Sequence, residues 1–236
     1  MEPLHTYENT LKTEQRRLIL SAAYPVIFVV LLWIVKSVEV VADISLSHWG
    51  LAPRSLEGLT GILFYPLLHS DLSHLFSNSL PLLFLGSALF YYYRQQALGI
   101  FFQLYLISGI WLWFLGRDGT MHIGASGLVY GLAAFHFTAG LIKRNMRLLA
   151  FSLLVTFLYG SIVWGIIPSF HPHRNISWEG HLTGMVAGVV LAIWHREKGP
   201  QRDRYEWDDD DPESESDSND EQIENSDPEN TETHQR

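Results

Sequence analysis

The sequence predicts an all-α integral membrane protein: a bundle of six membrane-spanning helices, both termini on the inner side, with a disordered acidic C-terminal tail. Three observations predict it. Six apolar segments recur along residues 18–195, Lys and Arg gather in alternate connections between them, and the excess acidic charge is confined to the end of the chain. Of the 25 Asp and Glu residues, fifteen fall within residues 203–236 beside two basic ones, so the formal net charge of −9 belongs to the tail while the body is positive. Three regions follow: 1–17, a cytoplasmic N-terminal segment; 18–195, the membrane domain; and 196–236, the cytoplasmic tail.

The first apolar run, Leu18–Val35, is long enough to cross a hydrocarbon layer of about 30 Å as a helix. Pro3 to Arg17 is polar and the run exceeds the length of a signal-peptide core, so this segment is expected to stay in the membrane. Pro25 lies inside it, as membrane helices tolerate. Lys36, Glu39 and Asp43 mark its far interface. Ile44 to Ser73 is too apolar for a solvated loop and too broken by Gly and Pro for a span. It reads as a compact loop with short helices, lying partly in the interface, where Trp49, Phe64 and Tyr65 are comfortable.

Five more segments complete the bundle: His74–Tyr93, Ala97–Leu115, Ile123–Ile142, Leu148–Ile167 and about Trp178–Trp194. With the N-terminus inside, the inner connections hold Lys12, Arg16 and Arg17, then Arg94, then Lys143, Arg144 and Arg147, then Arg196, Lys198 and Arg202. The outer ones hold Arg54, Arg117 and Arg174, with Lys36 at the outer edge. This asymmetry is the positive-inside pattern and sets both termini in the cytoplasm. Beyond Asp203 the chain has almost nothing apolar except Tyr205, Trp207 and Ile223, which predicts a solvated tail. No paired halves of the transporter kind are visible. Absence of cysteine excludes disulfides, thiolate catalysis and cysteine-ligated metal.

This topology gathers chemistry at one depth. Even-numbered spans run from outside to inside, so His74 opening the second, Ser126 opening the fourth and His181 opening the sixth lie near the outer face, about 5–10 Å into the membrane. Asn78 sits one turn below His74 on the same face. Polar groups at such depth face a bundle interior or a wet cavity. Gly124-Ala125-Ser126-Gly127 places a hydroxyl between small residues at the head of an apolar helix. Gly127, Gly131 and Ala134 on that helix, and Gly184 and Gly188 beside His181 on the sixth, form two grooves that let backbones approach closely. If these helices pack together, a nucleophile meets its general base. Tyr130, one turn below Ser126, is placed to press on the imidazole, and His74, Asn78, the Ser126 amide and Gly124 supply or support donors for an oxyanion.

At these residues the chain resembles the rhomboid family of intramembrane serine proteases. The matching stretches are His-Ser-Asp-Leu-Ser-His-Leu-Phe-Ser-Asn at 69–78, Gly-Ala-Ser-Gly at 124–127 with Tyr130 four residues on, and Gly-His-Leu-Thr-Gly-Met-Val-Ala-Gly at 180–188. The resemblance covers about residues 18–195. It implies Ser126 as nucleophile and His181 as base, with His74, Asn78 and the Ser126 amide as oxyanion site and Tyr130 stacked on His181. It also implies an outer loop, Pro168 to Glu179, capping the site, and substrates that are membrane-spanning helices cut near the outer face. Many relatives carry a Trp-Arg pair in the first loop, which here reads Thr60-Gly61-Ile62-Leu63-Phe64 before His69.

Glu179 and Asp118 are weak candidates for a third catalytic member, since both belong to the outer turns. His69 and His122 share the outer side with His74 and His181, but no His-Glu-x-x-His pattern is present, and neither a metal nor a cofactor is expected. His136 lies in the inner half of the fourth span and reads as a packed or hydrogen-bonded residue. Trp111, Trp113 and Tyr91 to Tyr93 read as interface anchors. The expected partners are membrane-protein substrates and the lipid bilayer, not nucleic acid, and the expected location is the bacterial cytoplasmic membrane. The rival function is a catalytically silent adaptor that binds membrane proteins; such a chain would be expected to lose the serine or the histidine, and both are here.

Overall fold

The computed structural model describes residues 2–158 and 177–200. The last part of the predicted fifth span, the capping loop from Pro168 to residue 176, and the acidic tail from residue 201 lie outside the described residues. Every regular element described is a helix. In order they are α1 (Glu2–Ala42), a 3-10 turn (Ser47–Trp49), α2 (Leu56–Phe64), a second 3-10 turn (Tyr65–Leu67), α3 (Leu72–Leu115), α4 (Ser126–Ile142), α5 (Met146–Leu158) and α6 (Trp178–Trp194).

Helix α1 runs well beyond the predicted Leu18–Val35 at both ends. Hydropathy detects the part of a helix that lipid favours, while Glu, Gln, Lys and Leu sustain helical backbone into water. The α3 run is interrupted at Arg94 (φ 23°, ψ −84°), between the predicted second and third spans. Its two parts are each about 20 residues long, the length that crosses a bilayer core. Leu11–Ala42 and Leu72–Leu115 are the described stretches long and apolar enough to cross a membrane.

Packing puts α4 at the centre. It lies most extensively against α6 and also touches α3 and α5, while α1 lies along α3. Leu85, Leu89, Ile100, Leu104, Leu128, Leu132 and Phe135 are fully buried between these helices. The outward faces are the reverse of a soluble protein's: Ile27, Phe102, Phe157 and Trp194 are all exposed. Such faces suit contact with lipid chains.

The α4–α6 contact is built on glycine. A Cβ on Gly184 would collide with the Gly127 carbonyl oxygen, and one on Gly188 with that of Gly131. The two backbones touch where any side chain would wedge them apart. At the far end of α6, His195 Nε2 donates to Gln103 Oε1 at 2.8 Å, and Lys143 donates to the Lys198 carbonyl, tying that end to α3 and α4.

The first loop has the short helices its composition suggests, and it is anchored by residues other than a Trp-Arg pair. Arg54 pairs with Asp118 and donates to the Phe114 carbonyl at 2.8 Å, and Trp113 Nε1 donates to the Ser55 carbonyl at 3.0 Å. Deeper, Tyr105 donates to the Leu63 carbonyl and Tyr65 shares a hydrogen bond with Ser108 at 3.2 Å. Trp113 thus holds the loop through its indole N–H as well as lying at a helix end. The loop also bridges Leu51 to His122 with two backbone hydrogen bonds of 2.9 Å.

Lys36, half-buried, and Glu39, buried, form a clamp near the end of α1. Glu39 is 6% exposed, pairs with Lys36 at 3.2 Å and accepts the Leu46 N–H at 2.7 Å. Lys36 also donates to the His69 and Ser70 carbonyls at 2.9 and 3.1 Å, so α1 grips the loop that leads into α3. Lys36→Met strips a buried carboxylate of its partner and releases that loop. It is expected to destabilise the fold by about 3 kcal/mol, with part recovered in Lys36→Met/Glu39→Gln, measured as unfolding in detergent.

Candidate active site

Two helix starts face each other. Ser126 is the first residue of α4, and Ala125, Gly124 and the loop before it arrive in non-helical conformations. His181 lies in the first turn of α6, which Ser177 caps by accepting the Gly180 N–H at 3.2 Å. The glycine contact brings these first turns together. Ser126 Oγ and His181 Nε2 are 2.9 Å apart, a hydrogen bond between groups 55 positions apart in the chain. In the tautomer that carries its proton on Nδ1, the imidazole accepts at Nε2 and the serine hydroxyl donates.

The ring is held from below. Tyr130 stacks on His181 with centroids 4.2 Å apart and planes 13° from parallel, as its position one turn past Ser126 suggests. The imidazole is buried, while Ser126 is half-buried and remains reachable.

Beside Gly124, two residues before the serine, α3 brings in His74 and Asn78. Asp71 caps α3 by accepting the His74 N–H at 2.8 Å, which fixes the first turn. Gly124 has φ 114°, and a Cβ there would lie 2.6 Å from the His74 ring and 3.8 Å from Asn78 Nδ2. Glycine is therefore required twice over, by conformation and by the approach of α3. Asn78 is buried, and its Nδ2 finds no acceptor among the described residues. A buried unpaired donor costs about 1–3 kcal/mol, which is a reason to look for what it serves.

The tautomers follow from neighbouring protons. Ser70 gives its one hydroxyl proton to Asp71 Oδ2 at 2.7 Å, so the 3.2 Å contact with His74 Nδ1 is donated by the imidazole. The His74 Nε2, beside Gly124, then donates only when the ring is charged. His69 Nε2 receives the Ala125 N–H at 3.5 Å, and its ring meets that of His74 edge-on with centroids 5.1 Å apart. Burial, then the neighbouring His74, pushes the His69 pKa down to about 3, so that ring is neutral.

The remaining sequence candidates bond to partners other than Ser126. Asp118 pairs with Arg54, and Glu179, buried in the first turn of α6, pairs with Arg117. His136 donates its Nδ1 proton to the Leu132 carbonyl at 2.8 Å inside α4. His122 is hydrogen-bonded to Thr120 and Ser177. Among the described residues no three His, Asp or Glu side chains are grouped as a metal site. The ties of Arg117 and His122 to the start of α6 escape a reading of the sequence. Ser177 three residues before Gly180 is a helix-start signal, but nothing in the spacing names its partner.

Residues 57–198 match the Rhomboid domain family. The chain belongs to the rhomboid family. Rv1337 of Mycobacterium tuberculosis, an uncharacterized protein, is 35% identical to this rhomboid over 188 residues, 78% of each chain. ML1171 of Mycobacterium leprae, also uncharacterized, is 32% identical over 171 residues, 70% of this chain and 67% of its own. YdcA of Bacillus subtilis, named as a candidate rhomboid protease, is 27% identical over 154 residues, 58% of this chain and 67% of its own. Membership makes this rhomboid a membrane protein, in keeping with its lipid-compatible faces.

Proposed function

We propose that this rhomboid is a serine endopeptidase that cuts membrane-spanning helices near the outer face of a bacterial cytoplasmic membrane. Six spans with both termini inside are part of the proposal, supported by the Lys/Arg asymmetry and the break at Arg94. The observation that carries it is the 2.9 Å bond from Ser126 to His181.

The chemistry follows from that bond. His181 Nε2 takes the hydroxyl proton as Ser126 Oγ attacks the scissile carbonyl carbon, forming a tetrahedral adduct with a negative oxygen. In this reading the Asn78 amide, the Ser126 backbone N–H and His74, when charged, donate to that oxygen, supported by the closeness of the His74 ring and Asn78 Nδ2 to Gly124. His181 returns the proton to the departing amine, leaving an ester on Ser126. Water, deprotonated by the same imidazole, then releases the acid and restores the serine. Stacking of Tyr130 on the imidazole holds the ring's orientation.

The test is reconstitution in lipid vesicles with a panel of single-helix substrates, the products mapped by mass. The reading expects one cut near the outer end of the helix, unaffected by a metal chelator. Intact substrates throughout, or loss of cleavage on chelation, would overturn it. Asn78→Ala is expected to lower kcat by about 10²-fold with little change in KM, the loss typical of a single oxyanion donor. Steady-state kinetics on the same substrates check it.

A further inference from the structure

The proposed dyad is spanned a second time, by a polar strut at its outer edge. His122 precedes Ser126 by four residues and Ser177 precedes His181 by four, and their side chains meet: His122 Nδ1 and Ser177 Oγ are 2.6 Å apart. Both residues lie on the segments that deliver the nucleophile and the base, so this contact and the Ser126–His181 bond are two rungs between the same two strands of chain.

The direction of each hydrogen bond is fixed by the protons at hand. Thr120 donates its hydroxyl proton to the Arg117 carbonyl at 2.6 Å, so the His122 Nε2–H must donate to Thr120 Oγ1 at 2.9 Å. The neutral ring then offers Nδ1 as an acceptor, and Ser177 donates to it while accepting the Gly180 N–H that starts α6. Burial holds the His122 pKa below its usual value, favouring that neutral ring, with Glu179 and Arg117 acting in opposite senses on it. The backbone of His122 is pinned on its far side by the two hydrogen bonds to Leu51, which tie it to the first loop.

We infer that His122 is a positioning residue, whose imidazole, anchored by Thr120 and the first loop, sets the start of α6 through Ser177 and so fixes the separation of Ser126 from His181. The inference rests on the proposed proteolytic reading of the site. It requires the Nδ1 acceptor specifically, which separates it from a general packing role. Asn in place of His carries a carbonyl oxygen near the position of Nδ1, whereas Gln reaches toward Nε2 and leaves Ser177 without its acceptor.

The test compares wild type, His122→Asn and His122→Gln in lipid vesicles, by kcat and KM on a helix substrate and by the rate of labelling with a fluorophosphonate. His122→Gln is expected to lose about tenfold in kcat and in labelling rate with KM unchanged, since small misplacements of reacting groups cost ten- to about a hundredfold. His122→Asn is expected to stay within about threefold of wild type. Equal rates for wild type and His122→Gln, equal losses in Asn and Gln, or a loss confined to KM would overturn the positioning role. A wild type that neither cleaves nor labels would instead bring down the proteolytic reading, and the strut's role with it.

Discussion

Ser126→Ala in lipid vesicles is expected to abolish cleavage of a membrane-helix substrate while the protein still inserts and unfolds at the wild-type temperature. The hydroxyl is half-buried and its one described side-chain bond is to His181, so removing it deletes a nucleophile and little packing. His181→Ala is expected to fail as completely, because the serine without its base is a weak nucleophile at neutral pH. Losses of about 10⁴-fold or more are usual when one member of such a unit is removed. The double variant is expected to be no worse than either single one, since the pair acts as one device. Kinetics of the three variants beside wild type check this, and a double variant slower by the product of the single losses would separate the two roles.

Gly184→Val is expected to be the most damaging change outside the reacting groups. The Gly184 position abuts the Gly127 carbonyl of α4, one residue after the nucleophile and three after the base. A branched side chain has no space there, and the helices must part. Overpacking of this kind costs typically about 1–3 kcal/mol, and more where the obstacle is backbone. Here the displacement also opens the gap between Ser126 and His181, so stability and kcat are expected to fall together. A thermal melt read alongside turnover distinguishes this from Ser126→Ala, in which turnover alone is lost. Substitution by Ala is expected to give the same pattern in milder form.

These two expectations show which parts of the molecule the chain announces. The small residues flanking Ser126 and His181 recur at helical spacing, and a pattern with that period has one structural use, so the α4–α6 pairing and the stacked Tyr130 were readable before any coordinates. The break at Arg94 was readable too, because a basic residue between two apolar runs marks a turn between helices. Hydropathy could not supply the true ends of α1, which depend on backbone hydrogen bonding in water rather than on lipid affinity. Nor could it supply the cross-links between residues distant in the chain: Lys36 with the His69 carbonyl, Arg54 with Asp118, Arg117 with Glu179, and His122 with Ser177. Each joins residues from different segments with no periodicity between them. The missing Trp-Arg pair left the first loop unexplained for that reason, and its anchors proved to be Arg54, Tyr65, Tyr105 and Trp113.

The acceptor state of the donors follows a similar rule. Asn78 was readable as a polar residue one turn below His74, but its unpaired Nδ2 is a property of the packing around it. That His74 gives its Nδ1 proton to Ser70 depends on Asp71 having claimed the serine's own proton. Only coordinates decide such contests.

The most direct measurement is the site of covalent capture by a fluorophosphonate, read by peptide mass mapping of the labelled protein in lipid vesicles. A nucleophile activated by an adjacent imidazole predicts a single adduct on Ser126, lost in Ser126→Ala and slowed by orders of magnitude in His181→Ala. An adduct on another residue, or unchanged labelling of Ser126 without His181, would contradict it.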